Sequence, residues 1–191
     1  MSETKREETK EERLLRHIKM TYQSRYTANR RLLHISKLQN ISSIFNSMFV
    51  TFASALLLAP SILPQDKKDN IGFLILGLSI ISLALSIALG TKNNVVMASD
   101  FHRCGRELQS LHDSLKSEEK IDLNKGYQEY NRILNSYNIN HDIIDHESVK
   151  NEDKKGLNRI PFKIKYFLQI DLLYILLIFG PMVAFILYLV I

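Results

Sequence analysis

Three stretches of this chain carry no charged side chain and are each long enough to cross a bilayer: residues 44–63, 71–89 and 172–191. A hydrocarbon core takes about 20 apolar residues per helix. Only helices and closed barrels satisfy their backbone groups there. The mean hydropathy of the 191 residues is −0.08, with 46% hydrophobic and 24% charged residues. That average suits a soluble domain only because very apolar and very polar blocks cancel, so a single soluble globule is excluded. Three spans take up about 60 residues. The remainder makes at most one small soluble module, too small for a large enzyme core.

The net charge of +5 is unevenly placed. Glu3, Glu7, Glu8, Glu11 and Glu12 are followed by seven cations, Arg13, Arg16, Lys19, Arg25, Arg30, Arg31 and Lys37, with no acid before the first span. Lys and Arg near span ends stay on the cytoplasmic side, so this arm is expected inside. Its position beside a span points to anionic lipid headgroups, with Arg25, Arg30, Arg31 and Lys37 as the contacts. Direct nucleic-acid binding through phosphate neutralisation fits less well. The first two spans are joined by residues 64–70, which can connect only antiparallel neighbours. The pair is therefore a transmembrane hairpin, with only Lys67 and Lys68 as cations in its loop. Lys154, Lys155, Arg159, Lys163 and Lys165 precede the third span and place the intervening block back inside.

The expected organisation is a basic cytosolic helical arm (1–43), a transmembrane hairpin (44–90, spans 44–63 and 71–89), a cytosolic helical module (91–169) and a third transmembrane helix (170–191). Residues 1–43 are too polar for a signal peptide. Insertion through the chain's own spans into a bacterial inner membrane is the expectation. Gly180 and Pro181 interrupt the third span. A proline there frees a backbone carbonyl, which a membrane tolerates only if a neighbour re-satisfies it. Tyr166 and Phe167 read as interfacial aromatics, and Asp171 as a carboxylate near a helix start and the headgroups.

The polar block is helical by period. Met97, Phe101, Cys104, Leu108, Leu111 and Leu115 step by three and four, a heptad-like seam. Tyr127, Tyr130, Leu134 and Tyr137 form a second such face, with Asp122 or Asn124 able to cap its helix. Leu15, Ile18, Tyr22 and Tyr26 repeat the pattern in the arm. Residues 147–158 look like a loop. No alternating strand pattern occurs, so the class is an all-α membrane protein.

The spans carry small hydroxylated stripes. Ser43, Ser47, Thr51 and Ser54 share one helical face, and Gly72, Ser79, Ser82, Ser86 and Gly90 share another. Such stripes serve close helix packing, where small residues let backbones approach, or line a wet pore in an oligomer. Packing is the commoner use. Little else carries chemistry. His102 and Cys104 lie two apart, but zinc needs about four ligands and there is one cysteine. Near His141, Asp142, Asp145 and His146 the simplest reading is a capped helix end, and on a helix His141 and Asp145 can pair at i, i+4. No phosphate loop, activated nucleophile or paired-carboxylate motif is recognisable. We expect no catalytic residues, no metal and no cofactor.

Several segments resemble the SLATT domain superfamily of bacterial two-span effectors. Arg25-Tyr26-Thr27-Ala28-Asn29-Arg30-Arg31-Leu32 leads into the first span. Met97-Ala98-Ser99-Asp100-Phe101-His102-Arg103-Cys104, with Glu107, Leu108 and Leu111, leaves the second. Tyr130-Asn131-Arg132-Ile133-Leu134, followed by Asn140-His141 and Asp145, is similar to the branch often found beside reverse transcriptases. The resemblance covers roughly residues 13–146, and the third span departs from the two-span pattern. It implies a membrane effector of an anti-phage or conflict system, triggered by a nucleotide signal or by a partner such as a reverse transcriptase or nucleotidyltransferase encoded nearby. It makes Tyr130, Asn140, His141 and Asp145 candidates for signal or partner contact. One hairpin cannot enclose water, so pore formation requires a homo-oligomer, with Phe101, Leu108, Leu111 and Leu115 as the expected seam. The alternative is a membrane-anchored regulatory or scaffold subunit that holds a cytosolic partner without conductance.

Overall fold

The computed structural model describes residues 8–58, 71–73, 75–80, 83, 87, 93–137, 139, 140, 142–152 and 164–190. Every regular element among them is helical. In chain order these are α1 (Lys10–Leu58), α2 (Asn94–Ser117), α3 (Leu123–Ser136), α4 (Ile143–Glu152), a π-helical turn (Phe167–Asp171) and α5 (Leu172–Val190). Residues 71–73 and 75–80 are helical as well. The all-α reading holds.

The chain divides into two compact units. One comprises Met1–Leu33 and Asn94–Phe162, the other His34–Asn93 and Lys163–Ile191. The boundary falls inside α1. The first part of the arm, to Leu33, belongs to the same unit as α2, α3 and α4.

The first unit is held by an apolar core at helical spacing. Leu14 and Ile18 of α1, Cys104, Leu108 and Leu115 of α2, and Tyr130 and Ile133 of α3 are buried together. Ala28 and Leu32 continue the α1 face against Ala98 and Phe101. Burying each large side chain here contributes about 1.5–3 kcal/mol. Two glycines mark close approach. A Cβ on Gly126 would lie 2.8 Å from Leu14 Cδ2, and one on Gly105 would lie 3.0 Å from the Tyr26 ring. Asp122 caps α3, accepting from the backbone N–H groups of Asn124 (3.0 Å) and Lys125 (3.1 Å), so the cap is Asp122 rather than Asn124.

Residues 147–152 differ from the expected loop, because α4 continues through them to Glu152. Their polarity concealed an anchor: Val149 is buried, and the flanking Glu and Lys residues are good helix formers. The rest of that expected loop, 153–158, lies outside the described residues.

The second unit packs Ala53, Ile71, Ile75 and Phe185 as its core, with Phe49, Val50 and Leu56 against it. Phe45 meets Phe179 and Phe49 meets Phe185 at ring-centroid distances of 6.0 and 5.6 Å, so α5 lies along α1. Among the described residues no helix is both long and apolar enough to cross a membrane. The expected first span is described only to Leu58 and the second only in part. The side chains of residues 184 and 188–190 of α5 also lie outside the description.

Candidate functional site

In the first unit, two arm cations occupy the apolar face of α1. Arg25 is 5% exposed. Its Nη1 donates to the Ile139 carbonyl at 2.8 Å, and its guanidinium lies 5.3 Å from the Phe101 ring centroid, within cation–π range. Burial lowers its pKa, yet guanidinium stays charged in proteins. Arg31 forms a fork with Asp145: Nε donates to Oδ1 at 2.8 Å and Nη2 to Oδ2 at 3.0 Å. Nη2 also meets Asp142. Asp145 is only 1% exposed, and its Oδ2 also accepts the Asp142 backbone N–H at 3.0 Å. That is the reach-back half of a capping box at the start of α4.

These contacts revise the roles expected of several residues. Arg25 and Arg31 are committed to partners within the protein instead of being offered to headgroups, while Arg30 and Lys37 are exposed. Asp145 is a buried clamp on the arm, and the capped-helix reading of this segment describes what it does. Tyr130 is buried, and its hydroxyl is 3.1 Å from both Thr21 Oγ1 and His17 Nε2. Neither Tyr130 nor Asp145 presents a free polar group to a signal or partner. Asn140 is exposed, and His141 lies outside the described residues. Phe101, Leu108 and Leu115 are buried, and Leu111 packs against the cluster that holds Leu108 and Leu115. The chain's own α1 and α3 thus close most of the face expected at an oligomer seam. A heptad pattern specifies that a face is covered, not which chain covers it.

Burial raises the pKa of the Cys104 thiol above its ordinary value, so the group is a small apolar packer. The Tyr137 hydroxyl donates to Glu107 Oε1 at 2.6 Å. That bond to the carboxylate, aided by desolvation, pushes its pKa up to about 12. Between α2 and α3 lies an open groove of about 620 Å³, lined in part by Ser110, Leu111, Ser114, Leu115, Gly126 and Ile133.

In the second unit four of the stripe hydroxyls are turned onto their own helices. Ser47 donates to the Ser43 carbonyl (2.9 Å), Thr51 to Ser47 (2.8 Å), Ser54 to Val50 (2.8 Å) and Ser79 to Ile75 (2.7 Å). Ser43, Ser47 and Thr51 are exposed, and Ser54 and Ser79 are half-buried. Ser82 and Ser86 lie outside the described residues.

A different face of α1 carries the polar contacts to α5. Asp171, in the π-helical turn, meets His34 Nε2 at 2.8 Å. Gln39 donates to the Tyr174 hydroxyl at 3.3 Å. Asn46 Nδ2 donates to the Leu177 carbonyl at 3.1 Å. Leu177 is four residues before Pro181, so its carbonyl is the one the proline leaves without a helical donor. The sequence announced the freed carbonyl through Pro181. The helical spacing of Gln39, Ser42 and Asn46 was the overlooked signal for its partner.

The comparisons with known proteins fit these observations. The family described as SMODS and SLOG-associating 2TM effector domain family 5, a SLATT family, matches residues 7–187. No curated protein and no solved structure matches the chain. The match covers both units and α5, and the chain belongs to this family.

Proposed function

We propose that this SLATT family 5 chain is a membrane effector of a bacterial conflict or anti-phage system, which oligomerises and permeabilises the membrane when triggered. The observation that carries the reading is where the apolar side chains are exposed. In the second unit Ile44, Met48 and Phe52 on α1, Phe73, Leu76, Ile80, Leu83 and Ile87, and Leu173, Leu176, Phe179, Val183, Ile186 and Leu187 on α5 all face outward. Several are more than 60% exposed. Soluble monomers rarely carry apolar patches beyond a few hundred Å², whereas lipid tails solvate such side chains.

The family's description as a 2TM effector domain supports the same reading. In it, residues 44–63, 71–89 and 172–191 are the spans, the third beyond the two that the description names, the first unit is cytoplasmic, and Arg30 and Lys37 meet headgroups. The exposed Ser43–Ser47–Thr51 stripe then faces neighbouring helices while closed and water once open. The back-bonded Ser47 and Thr51 hydroxyls suit both, because they leave those donors satisfied in the dry state.

The test is triggered expression with the neighbouring genes while membrane potential is followed. Collapse is expected in the wild type, and Ser47→Leu with Ser82→Leu should abolish it at unchanged protein level. Potential that holds in the triggered wild type would reject the proposal.

The scaffold reading is favoured by one observation, the open groove between α2 and α3, which has the volume of a ligand or peptide site. Stoichiometric capture of the neighbouring gene's product, with no conductance in reconstituted liposomes, would select it.

A further inference from the structure

We infer that Asn46 is a positioning residue whose amide replaces the backbone N–H that Pro181 lacks, so that this side-chain bond helps set the register of α5 on α1. The geometry has three parts. Pro181 lies inside α5 and cannot donate to Leu177. Asn46 Nδ2 reaches the Leu177 carbonyl at 3.1 Å. Asn46 itself is 7% exposed, beside a second, weaker contact to Ser42 Oγ at 3.5 Å.

A carbonyl without a donor is expensive away from water, and so is a buried amide without an acceptor. Each group therefore needs the other. The contacts nearest Asn46 include two ring contacts, Phe45 with Phe179 and Phe49 with Phe185, while the other polar bonds, Gln39 to Tyr174 and His34 with Asp171, lie nearer the start of α5. Ring contacts tolerate sliding better than a single aligned donor does. Nothing lies within 4 Å of a Cβ built on Gly180, so the residue beside the proline adds no close steric contact of its own, and the aligned hydrogen bond supplies the directional constraint at this point of α5.

Within the proposed membrane effector this makes α5 an element held in register in part by a replaceable bond. The consequence for gating rests on that reading. The pairing itself does not.

The experiment is a double-mutant cycle on the full chain in detergent micelles, read by thermal unfolding. Asn46→Leu alone is expected to lower the midpoint by about 5 °C. Pro181→Ala restores the helical donor, and in that background Asn46→Leu should cost less than about 1 °C. Gln39→Leu serves as the control. Its partner is the Tyr174 hydroxyl, so its cost should be equal in both backgrounds, which a merely structural role would predict for Asn46 too. An equal cost of Asn46→Leu with and without Pro181, or no cost with Pro181 present, overturns the inference. Membrane potential in triggered cells is read separately. Absence of collapse in the wild type rejects the effector reading, while the coupling between Asn46 and Pro181 still decides the pairing.

Discussion

Asp145 grips Arg31 through both carboxylate oxygens, at 2.8 and 3.0 Å, across 114 positions of sequence. The bond ties α4 to α1 two residues before the boundary between the two units. The carboxylate is almost fully buried while the Arg31 side chain retains 11% exposure. A desolvated bidentate pair of this kind is costly to break from one side.

Asp145→Ala should therefore destabilise the first unit by about 3 kcal/mol, since it removes the buried carboxylate from the guanidinium and leaves it the contact to exposed Asp142. Replacing both partners, as Arg31→Met with Asp145→Leu, should recover most of that loss. Denaturant unfolding of the single and double variants measures it. Equal losses in both would show that the pair is not the source.

Glycine substitutions should split by unit. Gly105→Ala meets the Tyr26 ring at 3.0 Å, and that ring is held by its hydroxyl on Gln109 Oε1 at 2.7 Å. Overpacking of about 1–3 kcal/mol should outweigh the gain of about 1 kcal/mol in helix propensity. Gly77 has nothing within 4 Å, so Gly77→Ala should keep that gain. Opposite shifts in the melting midpoint are the expected result.

Tyr137 predicts an alkaline weakness. Its pKa is raised from 10 to about 12 in the folded chain, so the folded state holds a proton that the unfolded state has released. The associated stability is fully present below about pH 10, falls between pH 10 and 12, and is gone above that window. Tyr137→Phe should remove this part of the pH dependence. Denaturant midpoints at about pH 9 and about pH 11.5, on either side of the unfolded-state pKa, test it against the wild type. Tyr22 and Tyr26, also shifted upward, are common to both proteins.

Cys104 is the single thiol and is fully buried. Maleimide should label it only as fast as the first unit opens, and far faster in Asp145→Ala. Rapid labelling of the native chain would contradict the burial on which the α1–α2 core depends.

Much of this fold was legible in the residues. The step of three and four from Phe101 to Leu115 announced α2, Asp122 announced the start of α3, and Pro181 announced a carbonyl in need of a donor. The site was less legible. Arg25 and Arg31 read as headgroup cations because a guanidinium beside a span is usually at the surface. A carbonyl at Ile139 and a carboxylate at Asp145, each more than a hundred residues away, help make their burial tolerable. Phe101, Leu108 and Leu115 read as a seam between copies for a related reason.

The sequence by itself determined the helical class, the charge-free stretches and the faces that must be covered, because these follow from local periodicity and solvation. The tertiary structure alone decided what covers them: the arm on α2 and α3, Asp145 on Arg31, Asn46 on Leu177. Such pairings depend on which distant groups arrive within hydrogen-bonding reach of one another, and no local pattern encodes that distance.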